Sequence, residues 1–432
     1  MQQNFIRVTS VIIQMHLKQC NGVSSPNNLH ILLYRSYRSI YHFNSISFES
    51  QSKYFVVIML RQVTPEKVIH IVWLSAALSF CWPLPISSSR TRVLGFRILQ
   101  ISAIISACML LLPMLYSIYL HPDDLVVVFK CMCMSTALCQ LIVQTTMCWI
   151  KQDSLQRTVR EMMTYVKETQ QYEKEIFYKY ITRCDMLCIC TIVCMYATAT
   201  GFSLGPAILP ISFPADAEYP FRVNYTPMNI IIYAHQSILS YQCAAHSCVS
   251  IFGALLLWFT AARFECLTVE LEKSTSINTL IVCIKKQLSL RRYAEEVLNN
   301  FRIMVLFSII ISTLVLTFGG IILIVNSPLL LKLQFVIVSL TVLTEVFMYA
   351  WPADHLREMS ANVSRSAYNL IWYKQTLEIQ KNLLNVLVFQ EPVTLSVSCV
   401  LPELSLRYYC SYLSNAMSIF TALRAAIGDN ST

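Results

Sequence analysis

Apolar residues run through this sequence in long blocks, not in the short alternations of half-buried strands. A helix rises about 1.5 Å per residue and a bilayer's hydrocarbon core is about 30 Å thick, so about 20 apolar residues cross it. Seven blocks reach that length: Val93–Leu120, Leu125–Ile150, Met186–Leu209, Asn229–Thr260, Ile303–Val325, Leu329–Trp351 and Val400–Ile427. In lipid every backbone polar group must be satisfied within the segment, which a helix does alone. The predicted fold is all-α: a polytopic membrane protein with seven transmembrane helices.

Between the blocks the basic residues are unevenly placed. Lys151, Arg157, Arg160, Lys167, Lys174, Lys179 and Arg183 separate the second and third, and Arg263, Lys273, Lys285, Lys286, Arg291, Arg292 and Arg302 separate the fourth and fifth. The turn His121-Pro-Asp-Asp124 has none, and the loop from Pro206 to Met228 has only Arg222. Lys and Arg mark the cytoplasmic side, so the N-terminus is expected inside and the C-terminus, after seven crossings, outside. A G-protein-coupled receptor has the opposite orientation. The sequons at Asn224 and Asn430 fall on the expected external side as glycosylation candidates, whereas that at Asn362 should stay bare.

The polar segments predict the remaining organisation. Residues 1–58 lack a continuous apolar span and a signal-peptide pattern, and read as a disordered or misannotated extension preceding a start at Met59. Residues 59–92 form a cytoplasmic amphipathic segment. Its helix begins at Thr64 as N-cap with Pro65 at the first position, and stops at Pro83-Leu-Pro85. Spans one to six and their long charged extensions occupy 93–352. Lys151–Tyr180 and Ala261–Asn300 carry charges at helical spacing with apolar stripes, and either pack on one another or remain solvated. A cytoplasmic helix fills 353–399, the seventh span 400–427 and an external tail 428–432. The proline-rich Pro206–Met228 loop is stiff enough to cover whatever lies between the helices.

Composition agrees with a membrane chain. Residues are 55% hydrophobic and 13% charged, against about 25% charged in a soluble domain. The 17 cysteines lie mostly inside the spans, without zinc spacing, and read as small buried hydrophobes. A net charge of +9 spread over cytoplasmic helices suits anionic membrane lipid and calls for no nucleic-acid partner. No nucleophile motif, phosphate loop or metal-ligand spacing appears, so neither an enzyme nor a metal or cofactor site is expected.

The last block is unusual in mixing Ser, Asn and Thr with apolar residues. Drawn as a helix, Ser411, Asn415, Ser418 and Ala422 share one face, with Ser414 and Thr421 on its flank; Tyr412, Ala416, Ile419, Phe420 and Leu423 take the other. A small polar face serves close helix packing or lines an ion path. Helical geometry leaves the two open. Pro402 and Glu403 suggest where this helix starts, with Glu403 or Arg407 near the inner mouth.

Several runs together resemble the insect odorant receptor family. They are Thr64-Pro-Glu-Lys-Val, Cys81-Trp-Pro-Leu-Pro85, Glu218-Tyr-Pro-Phe221 with Tyr233-Ala-His-Gln236, Leu257-Trp-Phe-Thr-Ala-Ala-Arg263, Glu345-Val-Phe-Met-Tyr349, Asp354-His-Leu356 with Asn369-Leu-Ile-Trp-Tyr373, and Ser405-Leu-Arg-Tyr-Tyr409 leading into Ser411–Thr421. The resemblance spans roughly Met59 to Ile427. It implies a subunit of an odorant-gated cation channel, a heterotetramer with a shared co-receptor in the plasma membrane of olfactory sensory neurons. The second cytoplasmic loop lacks the large insertion of the co-receptor, so the chain looks like an odour-specific tuning subunit. By the same resemblance Ser411, Asn415, Ser418 and Ala422 line the pore. A gustatory-type receptor channel is the neighbouring alternative, but its closing Thr-Tyr, five apolar residues, Gln-Phe pattern is missing.

A volatile, mostly apolar odorant needs an apolar cavity with few polar groups. Met134, Leu138, Tyr196, Thr200, Gln236 and Tyr241, in the outer halves of spans two to four, are the candidate contacts. His235 and His246 are expected to be satisfied bundle histidines. Lys130 should reach the interface or pair with Asp123 or Asp124, with no ligand role. Glu345, two turns from the inner end of span six, is expected to be structural, satisfied there by water or a neighbouring cation.

Overall fold

The computed structural model describes residues 64–85, 87–208, 213–223, 225–273, 276–325, 327–369, 376–378, 380–381, 391–397 and 401–429. The expectations for residues 1–58, for Asn224 and Asn430, and for most of the region after Asn369 fall outside them. The chain divides into Met1–Val68 and Ile69–Thr432. Only Thr64–Val68 of the first unit is described, and there the Thr64 carbonyl accepts the Lys67 and Val68 amides, opening a helix.

That helix, α1 (Pro65–Ser75), ends seven residues before the expected stop at Trp82. Its termination is local. The Ser75 and Ser79 hydroxyls donate to the Val72 and Ala76 carbonyls, which competes with helix propagation. A 3₁₀ turn, Ala77–Ser79, leads to Phe80 in the left-handed region at φ 54°, and Gln100 Nε2 fixes the Phe80 carbonyl at 2.9 Å.

The rest is helical: α2 (Arg90–Leu120), α3 (Leu125–Ile150), α4 (Gln152–Glu168), α5 (Gln171–Ser203), the short α6 (Gly205–Ile208), α7 (Met228–Ser247), α8 (Val249–Glu272), α9 (Ile277–Ile324), α10 (Leu329–Asn369) and α11 (Leu406–Asp429). Among the described residues six spans are long and apolar enough to cross a membrane, α7 and α8 counting as one, broken only at Cys248. The seventh candidate, α11, has 24 residues but is not among these six, because Ser, Asn and Thr dilute its apolar face. It starts at Leu406, with the Ser405 hydroxyl accepting the Tyr408 amide, and not at Pro402. Glu403 lies before it, 2.9 Å from Arg357.

The span formed by α7 and α8 is the axis of the bundle: 83% of its most apolar window is buried, against 22–44% in the other five. A helix apolar all round belongs in a core. α8 packs most extensively on α10 and also on α9 and α5; α3 joins α2 to α9, and α11 lies on α9 and α10. Trp82–Phe252, Phe252–Phe301 and Trp258–Trp351 ring pairs, with centroids 4.6–5.5 Å apart, line the axis.

The helices outrun the bilayer. α9, with 48 residues, is about 70 Å long by its rise, so its charged N-terminal half projects beyond any core. At that polar end α4, the last turns of α8 and the first half of α9 pack on one another. Ion pairs at 2.7–2.9 Å join Arg263 to Glu161, Lys179 to Glu265, Lys286 to Glu270 and Arg157 to Glu296. The stretch expected as one helix over Lys151–Tyr180 is two, since Thr169 and Gln170 turn the chain and Gln170 with Glu173 forms a capping box for α5.

Candidate functional site: an apolar cavity and an outward polar face

Toward the end opposite these ion pairs, the helices leave a cavity of about 180 Å³. α2 contributes Leu110 and Met114, α3 Met134 and Leu138, α5 Met195 and Phe202, α7 Gln236 and Leu239, α9 Ile311 and Val315, and α10 Phe335 and Val338. Aromatic and thioether walls adapt to hydrocarbon shapes, and few polar groups interrupt them.

Three of the six sequence candidates, Met134, Leu138 and Gln236, lie on this wall. The other three are displaced from it. Tyr241 and Thr200 share a hydrogen bond at 3.1 Å, and the Tyr196 hydroxyl donates to the Ser75 carbonyl at 2.7 Å. They tie α5 to α7 and to the end of α1. Sequence reasoning missed the α9 and α10 walls altogether, because the apolar blocks give no sign of which faces converge.

The proline-rich loop packs on residues that line the cavity, although none of its own described residues lines it. The Ala215 amide donates to Gln236 Oε1 at 2.8 Å, and Gln236 Nε2 donates to the Tyr219 hydroxyl at 3.2 Å. The Glu218 amide reaches the carbonyl of Pro113 inside α2 at 3.3 Å. Ala215 is buried in a cluster with Met114, Cys131, Leu138 and Leu239. Burial raises the Tyr219 phenol against the lowering effect of Gln236, so it stays protonated and available as a donor.

Lys130 corrects an expectation. It lines the cavity and pairs at 2.5 Å with Asp216 of the loop, not with Asp123 or Asp124; Asp124 instead caps α3, accepting from the Val126 and Val127 amides. Glu345 is buried within the bundle. It accepts from Gln140 Nε2 at 2.5 Å and Ser308 Oγ at 2.8 Å. The histidines are held as expected: His246 by Gln144 and Thr145 at 3.2 and 3.3 Å, His235 by Ser106 at 2.9 Å.

The α11 faces are also resolved. Tyr412 is buried with its hydroxyl on Ser312 Oγ at 2.8 Å, and Phe420 packs over Gly320, where an added Cβ would approach its ring to 3.2 Å. Ser411, Ser414, Asn415, Ser418, Thr421 and Ala422 are exposed on the side away from the bundle. Ile419, expected on the apolar side, is partly exposed at 41%, and Met417 more so. The Ser418 and Thr421 hydroxyls donate back to the Ser414 and Ser418 carbonyls at 2.9 Å, which leaves their oxygen lone pairs pointing outward.

A second cavity, about 210 Å³, lies at the polar end among Lys179, Tyr180, Arg183, Glu265 and His355. Its charged wall is unsuited to an apolar ligand. Among the described residues no cluster of His, Cys, Asp and Glu could hold a metal, and no disulfide is present.

These features define a multi-pass helical membrane protein with a mostly apolar cavity between its helices. Residues 124–417 match the family model described as 7tm Odorant receptor; the chain belongs to this family of insect odorant receptors. Odorant receptor 24a of Drosophila melanogaster is 22% identical over 340 residues, covering 70% of this chain and 85% of that protein. Odorant receptor 22c of the same species is 21% identical over 338 residues, covering 70% and 83%. Odorant receptor 10 of Aedes albopictus is 32% identical over 84 residues, and there the chain spans only 22% of that protein. Among solved structures, the insect olfactory receptor OR5 from Machilis hrabei in complex with eugenol aligns at TM-score 0.72 and 14% identity, over 84% of this chain and 98% of that one. At that identity the likeness is one of fold.

Proposed function

We propose that the chain is the odour-specific tuning subunit of an odorant-gated, non-selective cation channel. It assembles with the odorant co-receptor as a heterotetramer in the plasma membrane of olfactory sensory neurons, its N-terminus cytoplasmic and its C-terminus external. The apolar cavity takes a small volatile molecule in contact with Met134, Leu138 and Gln236, as OR5 takes eugenol. Ser411, Asn415, Ser418 and Ala422 line the ion path.

The observation that carries this reading is the outward face of α11. Small polar residues that served packing within the subunit would be buried against α9 and α10, and here they face away from both. Outward hydroxyl oxygens and the Asn415 amide replace part of a cation's hydration without a fixed charge, which suits a path with little selectivity.

Co-expression with the co-receptor and recording of odour-evoked currents across a broad panel tests the whole reading; a complex that reaches the surface and never conducts would count against it. Asn415→Leu and Ser418→Leu narrow and dewet the path. Each is expected to change unitary conductance or cation preference by about twofold or more while half-maximal odorant concentrations stay put. Unchanged currents in both variants would make the face a contact between subunits. Orientation has its own check: an epitope placed after Thr432 should stain on unpermeabilised cells, and an inaccessible tag would reverse the topology.

A further inference from the structure

Lys130 is the only Asp, Glu, Lys or Arg side chain among the described residues lining the apolar cavity. It is 12% exposed, in the second turn of α3. A buried charge needs a counter-charge or it is strongly destabilising. That charge comes from one place, the Asp216 carboxylate on the proline-rich loop, whose side chain is 32% exposed. The pair therefore has one end in the cavity and the other within reach of water.

The loop does not depend on this pair for its position. The Asp216 carbonyl accepts from Cys131 Sγ at 3.2 Å, and the Ala215 and Glu218 amides are anchored on Gln236 and Pro113. The Asp216 carboxylate can thus rotate into solvent while its backbone stays in place. Gln334, in the second turn of α10 at the same end of the bundle, lines the cavity too and adds an amide donor.

Resting on the reading of this cavity as the odorant site, we propose that it selects small apolar molecules that carry a carboxylate. The ligand carboxylate takes the place of Asp216 on Lys130 Nζ, its hydrocarbon tail lies among Met134, Leu138 and Phe335, and Asp216 is released to water. Charge balances at every stage, since Lys130 keeps one anionic partner before and after the exchange. An alcohol or ester of equal length cannot balance Lys130, so the Asp216 pair remains and the ligand gains only apolar contact. The cavity, about 180 Å³, is smaller than the roughly 300–1,000 Å³ typical of drug-sized sites. That restricts the class to short-chain acids.

The test uses the full chain with its co-receptor and three probes at neutral pH: hexanoic acid, methyl hexanoate and hexanol. The wild type should respond to the acid at a concentration about tenfold or more below that for the ester or alcohol, a difference of about 1.4 kcal/mol. Asp216→Asn removes the competing anion and should sharpen the acid response by a further factor of about ten. Asp216→Asn also leaves the less exposed Lys130 without a counter-charge and can lower surface expression, so a variant lacking both charges is measured beside it. The double variant Lys130→Met with Asp216→Asn removes both charges at nearly unchanged volume and leaves no unpaired charge behind. It should lose the acid preference, so that acid, ester and alcohol act at concentrations within about threefold of one another. Equal responses to all three probes in the wild type, or an acid preference surviving in the double variant, would overturn the proposal and leave the odorant cavity standing. If none of a broad odorant panel acts on a surface-expressed wild type, the cavity reading falls and takes the carboxylate selectivity with it.

Discussion

Gly253→Leu is expected to leave no folded protein at the cell surface, and Gly253→Ala to lower stability by about 1–3 kcal/mol, the range typical of an overpacked core. Alanine in place of glycine within a helix ordinarily gains about 0.5–1 kcal/mol, so the sign is the point. A Cβ on Gly253 would lie 2.6 Å from Cε1 of Tyr349 and 3.1 and 3.2 Å from Cδ1 and Cε1 of Phe301. Both rings are fully buried and cannot swing aside as a flexible side chain would. Tyr349 belongs to α10 and Phe301 to α9, so the missing side chain at Gly253 sets how closely both helices approach α8, the axis of the bundle. Thermal melting of detergent-solubilised protein should place the alanine variant below the wild type, and surface labelling should find no leucine variant. A Gly253→Ala protein melting at or above the wild type would mean that α8 and α10 do not touch here. Tyr349→Leu should partly rescue the alanine variant, because it removes the ring that the new methyl group meets.

This contact also shows where sequence reasoning stops. The apolar blocks identified six of the spans, because length and apolarity are properties of one segment and need no partner. They were silent on Gly253, whose importance depends on two rings about 50 and 100 residues away. The same limit explains Lys130: a charge in an apolar block signalled a need for a partner, but the nearest acids in sequence, Asp123 and Asp124, were the wrong ones. Asp216 comes from a loop that folds back over α3. The small polar face of α11 was legible from helical periodicity alone, whereas its outward orientation needed Phe420 against Gly320 and Tyr412 against Ser312. Tyr196, Thr200 and Tyr241 sit at the right depth on the right helices, yet their hydroxyls are taken up by contacts between elements.

Arg263→Ala should cost about 2–4 kcal/mol, from lost stacking on three rings and lost packing of the side-chain stem. The guanidinium carbon of Arg263 lies 4.5 Å from the centroid of Tyr165, 4.9 Å from that of Tyr293 and 5.6 Å from that of Phe259. Its Nη1 also meets Glu161 at 2.7 Å, but Glu161 is 46% exposed while Arg263 is 13% exposed. An ion pair with one end in water contributes little after screening, so most of the effect belongs to the rings. Tyr165 is on α4, Phe259 on α8 and Tyr293 on α9, and the arginine therefore clamps three elements of the polar end at once. Lysine keeps the charge but loses the planar stack, which places Arg263→Lys between alanine and wild type. Glu161→Gln should cost under about 1 kcal/mol. Melting temperatures in the order wild type, Glu161→Gln, Arg263→Lys, Arg263→Ala would support the ring box, whereas equal losses for Glu161→Gln and Arg263→Ala would assign the clamp to the ion pair. The clamp lies at the opposite end from the apolar cavity, so, on the proposed channel function, surviving Arg263→Ala protein is expected to give less total current at an unchanged half-maximal odorant concentration. A shifted concentration would instead show that the polar end and the cavity are energetically coupled.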